Sequence, residues 1–529
     1  MNNQRYLCYD LKGIQAFIFA VPRLKYICGG SAIIDRFDRV FAKNCSVPGT
    51  KLLFAGGGKG AFDCAGVEAA ANLKRELIIE AHDQGLDISF GEDADYSEAA
   101  NAANESYPFL PDTTELDGHP CQESGLYPVS RGKIHRTVQR RSWQRGERLD
   151  HYFENELLRD LHPPPGIADD LEFFHNVSAE DGDGRSGAAA LGNRNRWAII
   201  AMDGNDIGNQ HREADRKFGA DSEGHRQWLS ELSKQLDNCS REACRQATQR
   251  IIRIWAGSEQ GALEAHKATE KGVTTVPVRP LLVGGDDIVV LCHVRYALDF
   301  VFEACRVFEA TSAAVHSEAQ RKGVDLWLAT GGRISISAGI LFAPVTLPLA
   351  TAIPYAEQLL RSAKNRGRRE VLNQPHPAPA SIDWESVTEG ILESLPSRRQ
   401  TSTRFLDEDI GEIVELTRRP YTLEEAAEVL RLAKNYSDIP ATIRHRVAAE
   451  MRAGFWDRRL ACGRLAKTQR VLTQDLEENV DLSKPPRGRW IRGQSGQGEP
   501  TRSSDVIDAL LLLEEDHRMK RHTTEAENE

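Results

Sequence analysis

The segment "VRPLLVGGDDIVVLCHV", residues 278–294, constrains the fold of this 529-residue chain more than any other. Two apolar runs flank Gly284, Gly285, Asp286 and Asp287, which predicts a β-hairpin with two adjacent carboxylates at its turn. A charge taken out of water is costly unless it is paired or binds a metal. The rest of the sequence must therefore supply a partner for these two aspartates.

The segments around the hairpin follow the order β-α-β-β-α-β, which is the ferredoxin-like arrangement. A buried strand in "RWAIIAMDGNDIGNQ" stops at Asp203–Gly204, and a long stretch with helical spacing leads to the hairpin. A helix, the strand "RISISAGILFA" and the helix "LATAIPYAEQLLRSAKNRGRR" follow. In such a sheet the first strand lies beside the hairpin, so Asp203 is expected to meet Asp286 and Asp287 at one edge.

Three carboxylates this close repel one another and raise one another's pKa, and a divalent cation removes that problem. Magnesium prefers carboxylate oxygens and completes its shell with water or phosphate. Two such ions would clamp an attacking hydroxyl and a leaving phosphate, and Gly284 and Gly285 would let a nucleotide approach the backbone. The simpler alternative is a hairpin turn, because Gly and Asp are turn residues for steric reasons.

Two further residues are candidates for the same site. Lys364 lies late in the helix after the last strand, where a lysine can reach the phosphates of a triphosphate. Its alternative is a solvated helix face. Ser337, in "ISISAGI", either lines the nucleotide pocket or is a packed strand residue.

The first 100 residues look like a distant copy of the same unit. A strand ends near Asp10, and the glycine hairpin "AGGGKG", with Gly56, Gly57 and Gly58, comes later. The two segments are interpreted as an internal repeat. In this interpretation, only the second copy has acidic residues at the tip of its hairpin.

Composition excludes several classes of function. The net charge of −11 argues against a broadly basic surface that coats nucleic acid, although a local basic groove stays open. No apolar run approaches the roughly 18 residues of a membrane span, and the start of the chain lacks the pattern of a signal peptide. The ten cysteines include no C-x-x-C pair, so neither a zinc ribbon nor a disulfide framework is expected. We expect a cytoplasmic protein that does not contact membranes.

The chain is long enough for several domains. The pattern predicts an α/β domain at 1–130, a helical and loop connector at 131–195 and an α/β domain with the hairpin at 196–375. A linker leads to a helical domain at 383–520, and residues 521–529 are expected to be a disordered tail. The fold class is therefore α+β, with two ferredoxin-like domains and an all-helical C-terminal domain.

Four stretches together resemble one known family. They are "DLKGIQAFIFAVPRLKYICGGSAIIDRF", "MDGNDIGNQ", "PLLVGGDDIVVL" and "ISISAGILFAPVTLPLATAIPYAEQLLRSAKN". In combination they are similar to the large polymerase/cyclase subunit of type III CRISPR effector complexes. The likeness covers the first 100 residues and about 190–375.

The resemblance implies two facing palm domains, each holding one ATP, that join ATP into cyclic oligoadenylates, which are antiviral second messengers. Asp203, Asp286 and Asp287 would bind two Mg²⁺ or Mn²⁺ ions. Gly284 and Gly285 would shape the hairpin, and Ser337 and Lys364 would lie near the triphosphate. The first palm, with the glycines at 56–58, would bind a nucleotide without a metal site of its own.

The chain departs from the family in two ways. It starts directly at the first palm, without the HD nuclease domain of many members, and the cysteines of their zinc module are missing. The doublet His82–Asp83 is interpreted as a surface pair on a helix, so DNA cleavage is not expected. The resemblance thus implies a reduced or stand-alone relative, and guide or target RNA and other effector subunits stay possible partners.

Two alternatives remain open at this stage. The same site would also suit a diguanylate cyclase, another cyclic-nucleotide synthase or a linear polymerase. The second alternative is not an enzyme but a scaffold subunit that binds RNA and proteins. It is favoured by arginines near Trp143 and by "KPPRGRWIRG" at 484–493. A scaffold would not need all three aspartates.

Overall fold

The computed structural model describes most of the chain in eleven segments. They are residues 5–18, 24–109, 196–219, 223–257, 277–370, 377–388, 393–452, 454–465, 470–477, 488–494 and 500–512. The predicted connector, up to residue 195, and the predicted tail lie outside the described residues. The two α/β segments are called here the first unit, residues 5–109, and the second unit, residues 196–370.

The first unit is a four-stranded antiparallel sheet with helices between its strands. Its strands are β1 (Arg5–Lys12), β2 (Thr50–Gly56), β3 (Lys59–Cys64) and β4 (Asp87–Asp93). Its α-helices are α1 (Ile14–Ile18), α2 (Leu24–Arg36), α3 (Val67–Asp83) and α4 (Tyr96–Glu105), and a π-helix at Phe37–Ala42 extends α2. The strand order is β2-β3-β1-β4.

The second unit repeats this plan and extends it. Its strands are β5 (Arg196–Gly204), β6 (Val278–Gly284), β7 (Asp287–His293) and β8 (Ile336–Pro344). Its α-helices are α5 (Ile207–Phe218), α6 (Glu223–Ala256), α7 (Ala297–Arg321) and α8 (Leu349–Glu370). The order β6-β7-β5-β8 matches that of the first unit. The predicted ferredoxin-like arrangement and the α+β class are confirmed.

The strand registers show that the two units are structural copies. Asp10 lies opposite Ser89 in the first sheet, and Asp203 lies opposite Ser337 in the second. Each hairpin has a register shift at the same distance before its tip, between Leu52 and Phe54 in one and between Pro280 and Leu282 in the other. Each tip is a two-residue turn, closed by Gly56 and Lys59 in the first unit and by Gly284 and Asp287 in the second.

One glycine in each unit lets a helix lie directly on the sheet. A Cβ at Gly339 would lie 2.2 Å from the carbonyl oxygen of Ala356 and 2.3 Å from the amide nitrogen of Leu360, both in α8. A Cβ at Gly91, two residues after Ser89 as Gly339 is after Ser337, would lie 1.9 Å from the carbonyl oxygen of Ala99 in α4. The same close approach therefore recurs in both units.

The C-terminal segment differs from the all-helical domain that the sequence predicted. Two strands, β9 (Ser381–Ser386) and β12 (Tyr421–Thr422), extend the sheet of the second unit beyond residue 375. Four more strands form a separate sheet of order β10-β11-β14-β13: β10 (Arg404–Asp407), β11 (Glu412–Glu415), β13 (Trp490–Gln494) and β14 (Pro500–Ser504). Five helices accompany them in the described part: α9 (Leu395–Ser402), α10 (Leu423–Asn435), α11 (Ala441–Glu450), α12 (Phe455–Leu465) and α13 (Arg470–Leu476). The strands are short and rich in charged residues, which hides their alternation in the sequence.

Two predictions from composition can be compared with the described residues. The eight cysteines whose side chains the structure describes are free thiols, and most of them are buried. Burial is usual for free cysteines that act as small core residues. Within the same ranges, no helix is both long and apolar enough to cross a membrane.

Candidate active site

The three predicted aspartates meet at the tip of the second hairpin. Gly284 pairs with Asp287, which leaves Gly285 and Asp286 as the turn, and Gly285 has a φ of 60° that favours glycine. Strand β5 pairs with β7 up to Met202 and Ile288, so one step further Asp203 faces Asp287. The carboxyl of Asp286 is hydrogen-bonded to that of Asp203. The sequence-based prediction that these side chains converge is confirmed by this geometry.

Gly204 leaves room for this arrangement at the end of β5. A Cβ at that position would lie 3.0 Å from the Cβ of Asp286 and 3.4 Å from its Oδ2. That separation is tighter than ordinary van der Waals contact, so any larger residue would push Asp286 away from Asp203. The Asp203–Gly204 pair therefore does more than end a strand.

The crowded carboxylates have perturbed acidity. Burial raises the pKa of Asp286 well above its usual range, and repulsion from Asp203 and then Asp287 adds to the increase. Burial and the charge of Asp203 also raise the pKa of Asp287 to about 7. Asp287 keeps contact with solvent at the hairpin tip, so water screens part of this effect. The site therefore favours bound cations or protons.

Lys364 supplies one cation from helix α8. Its ammonium forms an ion pair with Oδ2 of Asp203 and donates to the carbonyl oxygen of Gly204 over 2.8 Å. It lies one turn after Leu360, whose backbone rests on Gly339, so the close approach of helix and sheet sets its position. The structure thus places Lys364 in the site and not on a solvated helix face.

The donor set fits a divalent metal, although no site is preformed. Nowhere in the described ranges are three acidic, histidine or cysteine side chains already arranged to hold a metal ion. Asp203, Asp286 and Asp287 nevertheless offer the hard oxygen atoms that Mg²⁺ and Mn²⁺ prefer. Burial and the repulsion between carboxylates raise the pKa of Asp286 and Asp287, and a divalent ion would offset both effects.

Ser337 occupies the packed strand position, the simpler of its two interpretations. It is fully buried, donates to Oδ1 of Asn205 over 3.1 Å and accepts from the backbone N–H of Ser381 over 3.2 Å. Asn205 also donates to Ser335 over 2.7 Å, and Asp206, with a φ of 65°, accepts from the N–H of Ala378. These bonds fix the turn that follows Asp203. Asn205 and Asp206 were missed in the sequence, where "MDGNDIG" has only the composition of a turn.

The glycine hairpin of the first unit touches the acidic hairpin of the second. A Cβ at Gly284 would lie 3.4 Å from the backbone nitrogen of Gly57, and one at Gly56 would lie 3.9 Å from that of Gly285. Arg241 of α6 holds the two sides together, because its guanidinium lies 2.8 Å from Asp35 of α2 and donates to the carbonyl oxygen of Val283. Gly56 and Gly57 thus lie beside Gly284 and Gly285 of the acidic hairpin, and binding of a nucleotide by the glycines at 56–58 stays a prediction.

The remaining candidates belong to other parts of the chain. Trp490 and Arg489, from the basic run at 484–493, are engaged inside the protein: Trp490 is buried and Arg489 pairs with Asp505. The arginines near Trp143 lie outside the described residues. His82 lies in the last turn of α3, and its ring is hydrogen-bonded to the carbonyl oxygen of Phe109.

The acidity of the carboxylates predicts a pH-dependent stability. Consider the wild-type protein in a buffer that contains a metal chelator. Because the pKa of these aspartates is raised in the folded state, the folded protein binds more protons than the unfolded chain between about pH 4, the ordinary pKa of Asp, and about pH 7. Its stability therefore falls across this window because of the two aspartates. The Asp286→Asn/Asp287→Asn variant lacks them, so its Tm should rise relative to that of the wild type as the pH increases from 4 to 7.

Calorimetry of both proteins in the same buffers measures this difference. Other acids with a raised pKa, such as buried Asp38, are common to both proteins and cancel. A difference in Tm that stays constant from pH 4 to pH 7 would contradict the raised pKa values. Added Mg²⁺ should stabilise the wild type more than the variant.

Comparison with known proteins agrees with the geometry in the second unit. Residues 196–373 match the family model described as Cas10/Cmr2, second palm domain. No curated protein matches the sequence. The matched segment runs from the start of β5 to just after α8 and contains Asp203, Asp286, Asp287 and Lys364.

Solved structures of type III-A CRISPR components are similar over most of the chain. A chain of the Csm1–Csm4 cassette in complex with cA4 is 13% identical with a TM-score of 0.48, and the match covers 97% of this chain and 70% of the other. The cassette with cA3 gives 12% identity and a TM-score of 0.48, and the cassette with one ATP gives 11% and 0.45, both with the same coverage. Through its second palm domain at residues 196–373, this chain resembles a Cas10-type polymerase/cyclase subunit, as its motifs predicted.

Proposed function

We propose that this protein is a magnesium-dependent nucleotidyltransferase that condenses ATP into cyclic oligoadenylates, second messengers of a type III CRISPR-like antiviral defence. One observation carries the proposal: three carboxylates and a lysine converge at the hairpin of a palm domain, with a second glycine hairpin against it. A scaffold has no need of crowded carboxylates, whose repulsion opposes folding.

In this proposal the carboxylates of the site bind metal ions, and the lysine binds phosphate. Asp203, Asp286 and Asp287 would hold two Mg²⁺ or Mn²⁺ ions, and Gly284 and Gly285 would let the nucleotide approach the backbone. When bound, two such ions lower the pKa of an attacking hydroxyl and neutralise charge on a triphosphate. Lys364, released from Asp203 by that added charge, would be available to a phosphate oxygen.

The proposed reaction is an in-line displacement at phosphorus. The 3′-hydroxyl oxygen of one ATP forms a bond to the α-phosphorus of another, and the bond from that phosphorus to the pyrophosphate oxygen breaks. The hydroxyl proton passes to solvent, and Asp287, the most exposed of the three carboxylates, would relay it. Repetition and a final closure of the two ends give a ring.

The substrate and the partners are part of the proposal. The similar Csm1–Csm4 structures contain ATP, cA3 or cA4 in complex, and Csm1 is there bound to Csm4. For this chain we propose ATP as substrate, palm domains at about 1–130 and 196–375, and an assembly with effector subunits and guide or target RNA. A cytoplasmic location would follow from such partners.

Mass spectrometry of reaction products tests the proposal. Purified protein is incubated with ATP, with GTP or with both, in Mg²⁺ or in EDTA. We expect cyclic adenylates only with ATP and Mg²⁺, because EDTA removes the cation that the carboxylates need. Products from GTP alone would favour the diguanylate cyclase alternative. If no nucleotide reacts even when target RNA and partner subunits are added, the scaffold alternative is correct.

A further inference from the structure

Lys59 of the first unit occupies the position that Asp287 occupies in the second. Each residue is the first of the returning strand of its hairpin, paired with a glycine across a two-residue turn. Lys59 also lies opposite Asp10, as Asp287 lies opposite Asp203 one step beyond the last pair of β5 and β7. The first unit therefore carries a cation at the position where the second unit carries an acid.

The backbone at Lys59 is held firmly. The N–H of Gly58 donates to Oδ2 of buried Asp38 over 2.7 Å, and Oδ1 of Asp38 accepts from the hydroxyl of Tyr9 at the same distance. The carbonyl oxygen of Gly58 accepts from the N–H of Leu11 over 2.7 Å. The tip of the hairpin is thus fixed, while the side chain of Lys59 extends from it and is 58% exposed.

Of three lysines near the two hairpins, Lys59 lies farthest from the carboxylate with which it pairs. Lys364 is paired with Asp203 inside the second unit, and Lys12 lies 2.5 Å from Asp10 inside the first. The ammonium of Lys59 lies 4.0 Å from Asp10, and it also attracts Asp287 across the interface. A triphosphate bound beside the two hairpin tips meets several carboxylates, and Lys59 is a cation that can offset their charge from the side of the first unit.

We propose that Lys59 binds a phosphate group of a nucleotide held between the two units. Lys59 belongs to the first unit, and through this contact it contributes to the site that the carboxylates of the second unit form. The inference rests on the proposed function. It gives the first unit a chemical task in the reaction: to place a nucleotide by its phosphate, where glycines at 56–58 offer only space.

Binding of a non-reacting ATP analogue tests this role without turnover. In calorimetric titrations with α,β-methylene ATP and Mg²⁺, Lys59→Ala should weaken affinity roughly tenfold to a hundredfold, as expected for the loss of a charged hydrogen bond. Lys59→Arg should recover much of this affinity, because it keeps the charge. In turnover assays, the loss should fall mainly on KM.

Lys51→Ala is the matched control. Lys51 is an exposed lysine of β2, five residues and about 16 Å before the tip of the same hairpin, and its loss should change affinity less than about twofold. Suppose that the wild type makes product and that Lys59→Ala and Lys51→Ala both bind the analogue with wild-type affinity. The inference is then wrong and the proposed function stands. If the wild type binds no analogue and makes no product, both are overturned.

Discussion

Replacing Asp286 and Asp287 together by alanine will abolish ATP condensation while the protein remains folded. These two residues and Asp203 provide the carboxylate oxygens proposed to hold the metal ions, and Lys364 alone cannot replace two divalent charges. We expect the rate of product formation to fall by at least about a thousandfold, which corresponds to about 4 kcal/mol of transition-state stabilisation. Quantitative mass spectrometry of the products over time measures this loss.

The folded state of the double variant can be checked separately. Removing two crowded carboxylates relieves repulsion, so the Tm in EDTA at pH 7 should equal or exceed that of the wild type. Glu318→Ala is the control, because Glu318 is an exposed residue of α7 that pairs with exposed Lys322. Activity in the double variant at a level similar to that of Glu318→Ala would refute the assignment of the site.

Gly339→Ala will be among the most destabilising single-methyl additions in the second unit. Its Cβ would lie 2.2–2.3 Å from backbone atoms of α8, which cannot move away as the end of a flexible side chain can. Overpacking of this kind costs roughly 1–3 kcal/mol or more. The same contact between α8 and the sheet sets the position of Lys364 in the site. Activity should therefore fall even under conditions in which the variant is still folded.

Gly208→Ala is the matched control for this variant. Nothing lies within 4 Å of a Cβ at Gly208, which is an exposed position in α5, so alanine should be neutral or stabilising by up to about 1 kcal/mol. Urea unfolding of both variants gives the comparison. Gly91→Ala, the equivalent change in the first unit, should resemble Gly339→Ala. Equal stabilities for Gly339→Ala and Gly208→Ala would show that α8 does not rest on the sheet as described.

The sequence predicts the second unit well because its signals are local. The apolar runs around Gly284 and Asp287 indicate a hairpin by composition alone, and the order of strands then places Asp203 beside it. For Lys364 the sequence leaves two positions open, because helical periodicity cannot tell whether a lysine faces water or a carboxylate. Its position depends on how closely α8 approaches Gly339, and that is a tertiary contact.

Two features of the chain were not predicted from the sequence, for different reasons. The sheet of β10, β11, β13 and β14 brings together short strands from residues 404 to 504, and its parallel pairing of β11 with β14 has no local signature. The role of Lys59 had a usable signal that was missed. When "GGGK" is aligned with "GGDD" by the closing glycine of each turn, Lys59 falls on Asp287.

The equal strand orders, registers and bulges of the two units are what duplication of one ancestral unit would leave behind. The copies then differ at the two positions after the glycines, where one has Gly58 and Lys59 and the other has Asp286 and Asp287. A pair of identical units would be interchangeable, with no distinction between its two halves. This pair has a built-in polarity, so a growing chain of nucleotides would have a fixed direction in which to be extended.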